Sequence, residues 1–226
     1  MSDASEAVLA KLKQQFPKIE TAPGNNTKPA KQDIVVLPVH PPAIAEVAGQ
    51  IKSSLRRDSI LVSLAPKFTL AKLSELLGGF QRIARVIPNA PCIVNAGFSP
   101  AAFSPGLSTD ECQMVAGTFT ALGECPTVDE AKLEAYALLT GMGPTYFWFQ
   151  LYELRNVAQS CGLPPDEAQA ALEKMLMGAM KAMTATGMSA SEVMDLIPVK
   201  PLNEMEASVA EMYRTRLTAL FQKIKP

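Results

Sequence analysis

Three short runs of aliphatic and β-branched residues punctuate the first half of the chain: residues 33–39 (DIVVLPV), 60–64 (ILVSL) and 82–87 (RIARVI). Each is bounded by proline, glycine or charge, and stretches of helical periodicity separate them. That texture is the pattern of buried parallel strands. The periodicity predicts helices at 42–56, 69–78 and 108–122, with weaker strands near 99–103 and 124–128. The third helix opens on Ser108-Thr109-Asp110-Glu111, in which Ser108 is placed to cap and Glu111 to close a capping box. Residues 1–32 hold a polar helix at 3–16 and a Pro/Gly/Asn-rich loop at 22–30.

After Asp129 no strand pattern recurs. Helices fit at 129–139, 143–161, 165–186, 189–196 and 201–223, with Gly162 and Gly187 as stops. Pro164-Pro165-Asp166-Glu167 starts one of them with proline and acidic residues in the first turn. The expectation is an α/β domain over 1–128 followed by an all-α domain over 129–226. Met175, Met177, Met180, Met183 and Met188 sit at helical spacing, which reads as adaptable core.

Composition narrows the function. The chain has 226 residues, is 48% hydrophobic and carries a net charge of −1, so it has no basic footprint for nucleic acid. Its four cysteines, Cys92, Cys112, Cys125 and Cys161, form no C-x-x-C, and His40 is the single histidine. No metal site is expected, and reduced thiols suit a cytoplasmic protein. Residues 135–152 are 18 consecutive uncharged positions, close to a membrane span in length. Gly141, Gly143 and Pro144 interrupt them and Glu134 and Glu153 flank them, so burial in an oligomer is expected rather than membrane insertion. No G-x-S-x-G, no Walker-type G-K-[ST] and no G-x-G-x-x-G occurs anywhere in the chain.

The turns between the elements carry a resemblance. Val39-His40-Pro41 follows the first strand, Arg85-Val86-Ile87-Pro88-Asn89-Ala90-Pro91 spans the third, and Leu122-Gly123-Glu124 precedes the last. Thr140-Gly141-Met142-Gly143-Pro144 and Cys161-Gly162-Leu163-Pro164 follow. In that order and spacing the chain resembles the pyrroline-5-carboxylate reductase family, whose turns read V-K-P, R-V-M-P-N-T-P, L-G, S-G-S-G-P-A and G-L-P. The resemblance implies a Rossmann-like parallel sheet, truncated so that the first strand and the Gly-rich loop are missing, followed by a helical dimerisation domain. It implies an oxidoreductase that uses NADP or NAD to reduce a cyclic imine in proline biosynthesis. The implied partners are a small-molecule substrate and a second copy of the chain, with no nucleic acid and no membrane.

The same resemblance places the cofactor at the loops after the strands, on His40, Pro41, Ala65, Pro66 and Asn89. Substrate contacts fall to Asn89, Lys200 and Asn203, and no residue stands out as catalytic. Several positions depart from the family. His40 stands where the family has lysine, and Ala65-Pro66-Lys67 replaces a small, glycine-containing loop, removing donors and adding bulk. The family's V-T-S-P-G-G-T-T reads Ile197-Pro198-Val199-Lys200-Pro201-Leu202-Asn203-Glu204, without either glycine or either threonine. Impaired activity is therefore expected. The alternative is a non-catalytic homologue that acts as a dimerising structural or interaction protein.

Overall fold

The three apolar runs become parallel strands in the computed structural model, which describes residues 1–226. After an N-terminal helix α1 (Glu6–Gln15), strands β1 (Ile34–Leu37), β2 (Ile60–Ser63) and β3 (Ile83–Val86) pair side by side, with Leu61 opposite both Val35 and Ile83. Helices α2 (Ile44–Ile51) and α3 (Leu70–Leu76) supply the crossovers that parallel pairing needs. Two short strands follow, β4 (Gly97–Phe98) and β5 (Ala101–Phe103), of which β5 joins β3 antiparallel.

All four residues of β2 and of β3 are buried, so the sheet is covered on both faces. Period two explains the layers. Leu61 and Ile83 pack with Ile44, Ala48 and Ile51 of α2 and Leu73 of α3. Their neighbours Ile60, Val62, Ala84 and Val86 face the other way, onto Val115 and Phe119 of α4 (Thr109–Thr120). The expected capping box forms: the Ser108 hydroxyl accepts from the Glu111 N–H at 3.3 Å, and the Glu111 carboxylate accepts from the Ser108 N–H at 2.9 Å. The outer edge of β1 has no strand beside it, and Val36 there is 47% exposed. Helix α2 stops at Ile51, short of the predicted 56, where the chain turns so that Arg56 meets Asp33 at 2.6 Å and Asp58 at 2.5 Å.

The Leu122-Gly123 motif has a steric cause. Gly123 opens β6 (Gly123–Glu124), which pairs with β4, and a side chain there would put its Cβ 2.1 Å from the Gly97 carbonyl oxygen. Its φ of 138° is a second reason for glycine. The uncharged stretch 135–152 is not one helix. A short helix α5 (Leu133–Tyr136) widens into a π-helical turn at Ala137–Gly141, and α6 (Pro144–Ser160) starts afresh after Gly143. No helix is long and apolar enough to cross a membrane. Helices α7 (Pro165–Ala185), α8 (Ala190–Met194) and α9 (Asn203–Ile224) complete the chain, with Gly162 at φ 101° and Gly187 at φ 71° in the turns before α7 and α8.

Two compact units result. One comprises residues 1–141 with 220–226, and the other residues 142–219. The segment 129–141, grouped with the helices by its sequence texture, packs in the first unit. There Leu133 and Ala137 join Ile87, Ala102 and Ile224.

The two-sided burial of β2 sets a stability contrast. Leu61→Ala should cost about 2–5 kcal/mol by urea unfolding, whereas Val36→Ala on the open edge should stay within about 1 kcal/mol of the parent. Equal losses would contradict the layer assignment.

Candidate functional site

Ligands of open parallel sheets lie outside the carboxyl ends of the strands. Three turns form that edge here, at 38–41 after β1, 64–67 after β2 and 87–89 after β3. His40 is exposed and leads in extended backbone into a 3-10 turn begun by Pro41. Ala65 is buried in the layer of α2 and α3, so its methyl group is part of the core, while Pro66 beside it is half-buried.

The chemistry of this edge is organised by Arg85. It follows Ile83 on the same face of β3, where pattern alone would place an aliphatic side chain, and it is fully buried. A buried guanidinium demands charged partners. Glu130 and Glu134 supply them: Nη1 lies 2.9 Å from Glu130 Oε1, and Nη2 lies 2.5 Å from Glu134 Oε1. Each carboxylate oxygen has a second donor. Glu130 Oε1 accepts the Leu70 N–H at 2.6 Å, one of the unpaired donors of the first turn of α3, and Glu134 Oε1 accepts the Lys67 N–H at 3.1 Å. Arg85 Nε is buried without a partner.

The Lys67 bond explains a backbone anomaly. Lys67 has φ 78°, in the left-handed region that glycine enters freely and that costs other residues about 1–2 kcal/mol. The turn after β2 therefore keeps the backbone shape a glycine would give it, with a lysine in place. The sequence reading, which treats Ala65-Pro66-Lys67 as a loss of donors plus bulk, captures Pro66 and misses this geometry. The signal available in the sequence was Arg85 itself, a charge inside a buried strand run.

Asn89 holds the third turn. Its Oδ1 accepts the Phe98 N–H at 2.9 Å, and its Nδ2 donates to the Thr140 carbonyl at 3.2 Å. Thr140 lies in the π-helical turn, a distortion that often marks functional segments, and its hydroxyl donates to the Tyr136 carbonyl at 2.9 Å. The Asn89 amide thus bridges β4 and the π turn. The structure brings His40, Pro41, Ala65, Pro66 and Asn89 to one sheet edge. Lys200 and Asn203 belong to the other unit, where Lys200 Nζ pairs with Asp195 at 2.7 Å and Asn203 opens α9. The hydrogen bond with Asp195 pushes the Lys200 ammonium above the usual lysine range. No group of three or more His, Cys, Asp or Glu side chains is arranged to hold a metal ion.

Arg85→Met should be the most costly change at this edge, about 3–5 kcal/mol in urea unfolding, because it strands two carboxylates. Asn89→Ala should cost about 1–3 kcal/mol through the unmet Phe98 N–H. A smaller loss for Arg85→Met than for Asn89→Ala would refute the ranking.

The family model described as pyrroline-5-carboxylate reductase dimerisation matches residues 130–222. The pyrroline-5-carboxylate reductase of Escherichia coli is 28% identical over 165 residues, covering 73% of this chain and 61% of the relative, so the chain spans about three fifths of that relative's length. The structure of a pyrroline-5-carboxylate reductase from Coxiella burnetii aligns with a TM-score of 0.67 at 26% identity, over 99% of this chain and 83% of that one. The Plasmodium falciparum pyrroline carboxylate reductase, solved with NADP bound, has the same fold, with a TM-score of 0.79 at 22% identity over 92% and 81% of the two chains. With the turn motifs, the parallel sheet and the helical segment all agreeing, residues 130–222 match the pyrroline-5-carboxylate reductase dimerisation domain, and the chain is similar to pyrroline-5-carboxylate reductases.

Proposed function

We propose that this chain is a reductase-type oxidoreductase acting on a cyclic imino acid, with the nicotinamide end of NADPH or NADH at the carboxyl edge of β1–β3. The observation that carries this reading is the Asn89 turn. It stands at the end of β3, pinned on both sides, in the R-V-I-P-N motif that resembles the family's. His40-Pro41 and Ala65-Pro66 flank it on the neighbouring turns. When bound, a reduced nicotinamide would supply a hydride to the imine carbon, leaving as the oxidised nicotinamide, while the imine nitrogen takes a proton from solvent. The task of this chain's residues is to hold the ring and the acceptor against one another. Lys200 and Asn203 are the proposed substrate contacts, of which Lys200 must leave Asp195 to serve.

The residues fit one end of such a cofactor only. The glycine-rich cradle that presents a helix N-terminus to a pyrophosphate does not occur in these 226 residues. Two or three charge-assisted hydrogen bonds at about 1.5–3 kcal/mol each are therefore missing, which corresponds to roughly a hundred- to a million-fold in affinity. The helical unit is proposed to pair with a second copy. No residue of α6 or α9 is buried, and Phe149, Met177, Met180 and Met183 are each at least 60% exposed, an apolar surface that needs a partner. The absence of disulfides and of membrane-length helices fits work in the cytoplasm.

Two measurements test these statements. Titration with NADPH, followed by nicotinamide fluorescence and by pyrroline-5-carboxylate-dependent NADPH oxidation, should give weak saturation and slow turnover. Absence of any binding or turnover at millimolar NADPH would overturn the assignment, and tight, low-micromolar binding would overturn its weakness. Sedimentation at micromolar concentration should show a dimer or larger assembly, and a folded monomer would exclude the pairing.

A further inference from the structure

The turn after β2 holds an exposed lysine in a backbone conformation that lysine disfavours, and a buried ion network keeps it there. Resting on the reading above, we propose that Lys67 is a specificity-determining cation at this edge, taking an anionic group of the ligand, and that Glu134 and Arg85 are the positioning residues that set it.

Three observations converge. First, the geometry is enforced. The Lys67 N–H donates to Glu134 at 3.1 Å, and Glu134 is fixed by Arg85 at 2.5 Å with both side chains almost wholly buried. Strain of this kind persists only where the surroundings over-determine it, and it concentrates at ligand sites. Second, the ammonium is uncommitted. Lys72, Lys132 and Lys200 each hold a carboxylate, at 2.8, 2.8 and 2.7 Å, whereas Lys67 takes part in no ion pair. Third, Lys67 is the one lysine or arginine on the three turns at 38–41, 64–67 and 87–89. Those turns also carry Pro38, Pro41, Pro66 and Pro88, none of which has an N–H. The Ala65 N–H lies 3.4 Å from the Ser63 hydroxyl, and that of Lys67 is spent on Glu134.

The Lys67 ammonium, with three donors and a full charge, brings the one permanent positive charge of these turns to an anion docking there. The chemistry is that of a carboxylate or a phosphate. The carboxylate of the cyclic substrate and a phosphate of the dinucleotide are the two sources, and the test separates them.

The experiment compares the full-length parent with Lys67→Gly and Lys67→Arg. Glycine accepts the left-handed turn at least as well as lysine, so Lys67→Gly keeps the fold and removes only the ammonium. Backbone amide NMR spectra are followed during titration with L-proline, sodium pyrophosphate and NADPH. The Lys67 amide in the parent should shift with one of them. Lys67→Gly should weaken that ligand about ten- to a hundred-fold, and Lys67→Arg should restore most of the loss. A response confined to L-proline assigns the substrate carboxylate, and one confined to pyrophosphate and NADPH assigns the phosphate. If NADPH causes no change but L-proline or pyrophosphate binds in a Lys67-dependent manner, the anion site stands and the cofactor reading falls. If the ligands bind Lys67→Gly as well as the parent, or if none moves the Lys67 amide, the anion site is excluded. Glu134→Gln tests the positioning role: the Lys67 amide should lose protection from hydrogen exchange and bind the same anion more weakly, with Arg85 still held by Glu130. Unchanged protection and affinity would show that Glu134 does not set the turn.

Discussion

A guanidinium placed in the middle of a buried strand constrains everything around it. Arg85 lies between Ala84 and Val86 on β3, with no exposure to solvent, and its desolvation is tolerable only because Glu130 and Glu134 reach it. Those two carboxylates come from the segment that leads out of the sheet, so the ion network fixes how that segment docks. Their remaining capacity is taken by the N–H groups of Leu70 and Lys67, which ties down the first turn of α3 and the turn after β2. One buried charge thus fixes a strand, a helix start, a loop and the short helix α5 relative to one another. Such a network contributes specificity of arrangement more than stability, since an apolar replacement of the whole set would avoid the desolvation cost.

The consequence for chemistry is an edge whose polarity resides in side chains. Prolines remove backbone donors from all three turns, and the N–H of Lys67 is internally committed. Asn89 spends its amide on the Phe98 N–H and the Thr140 carbonyl, so it acts first as a brace between the sheet and the π-helical turn. The hydride transfer proposed for this edge would need two reactants held at a fixed separation, and rigid turns at the end of a buried parallel sheet are suited to that task. The departures from the family's turns, His40 and Lys67 among them, change which charges line this edge while leaving the scaffold as it was.

The helical unit obeys a different constraint. Helices gain most of their stability from packing an apolar face, yet α7 buries Ala168 alone, and α6 and α9 bury nothing. Methionines recur along α7 at helical spacing, and Met175, Met177, Met180 and Met183 are all exposed. Flexible, polarisable side chains of this kind suit a surface that packs against another surface, which is the role named by the family model spanning residues 130–222.

Much of this was legible in the sequence. The three strands, the capping box at Ser108 and Glu111, the glycine stops at Gly162 and Gly187 and the all-helical second half follow from local rules: β-branched runs, hydrogen-bonding side chains at helix starts, and residues free to adopt positive φ. The turn motifs also carried the resemblance, and two of their glycines sit where the backbone admits few other residues, Gly123 against Gly97 and Gly162 at φ 101°. What the sequence could not show was how separated residues share a proton donor or a charge. Gly141, Gly143 and Pro144 mark the break of the 135–152 stretch, but the π-helical form of Ala137–Gly141 has no local signal, and the left-handed Lys67 is held by a carboxylate 67 positions along the chain. Local pattern determined the elements, because their rules act within a few residues. Only the tertiary structure decided the site, because burial of Arg85 makes its partners obligatory, and no rule of spacing names them.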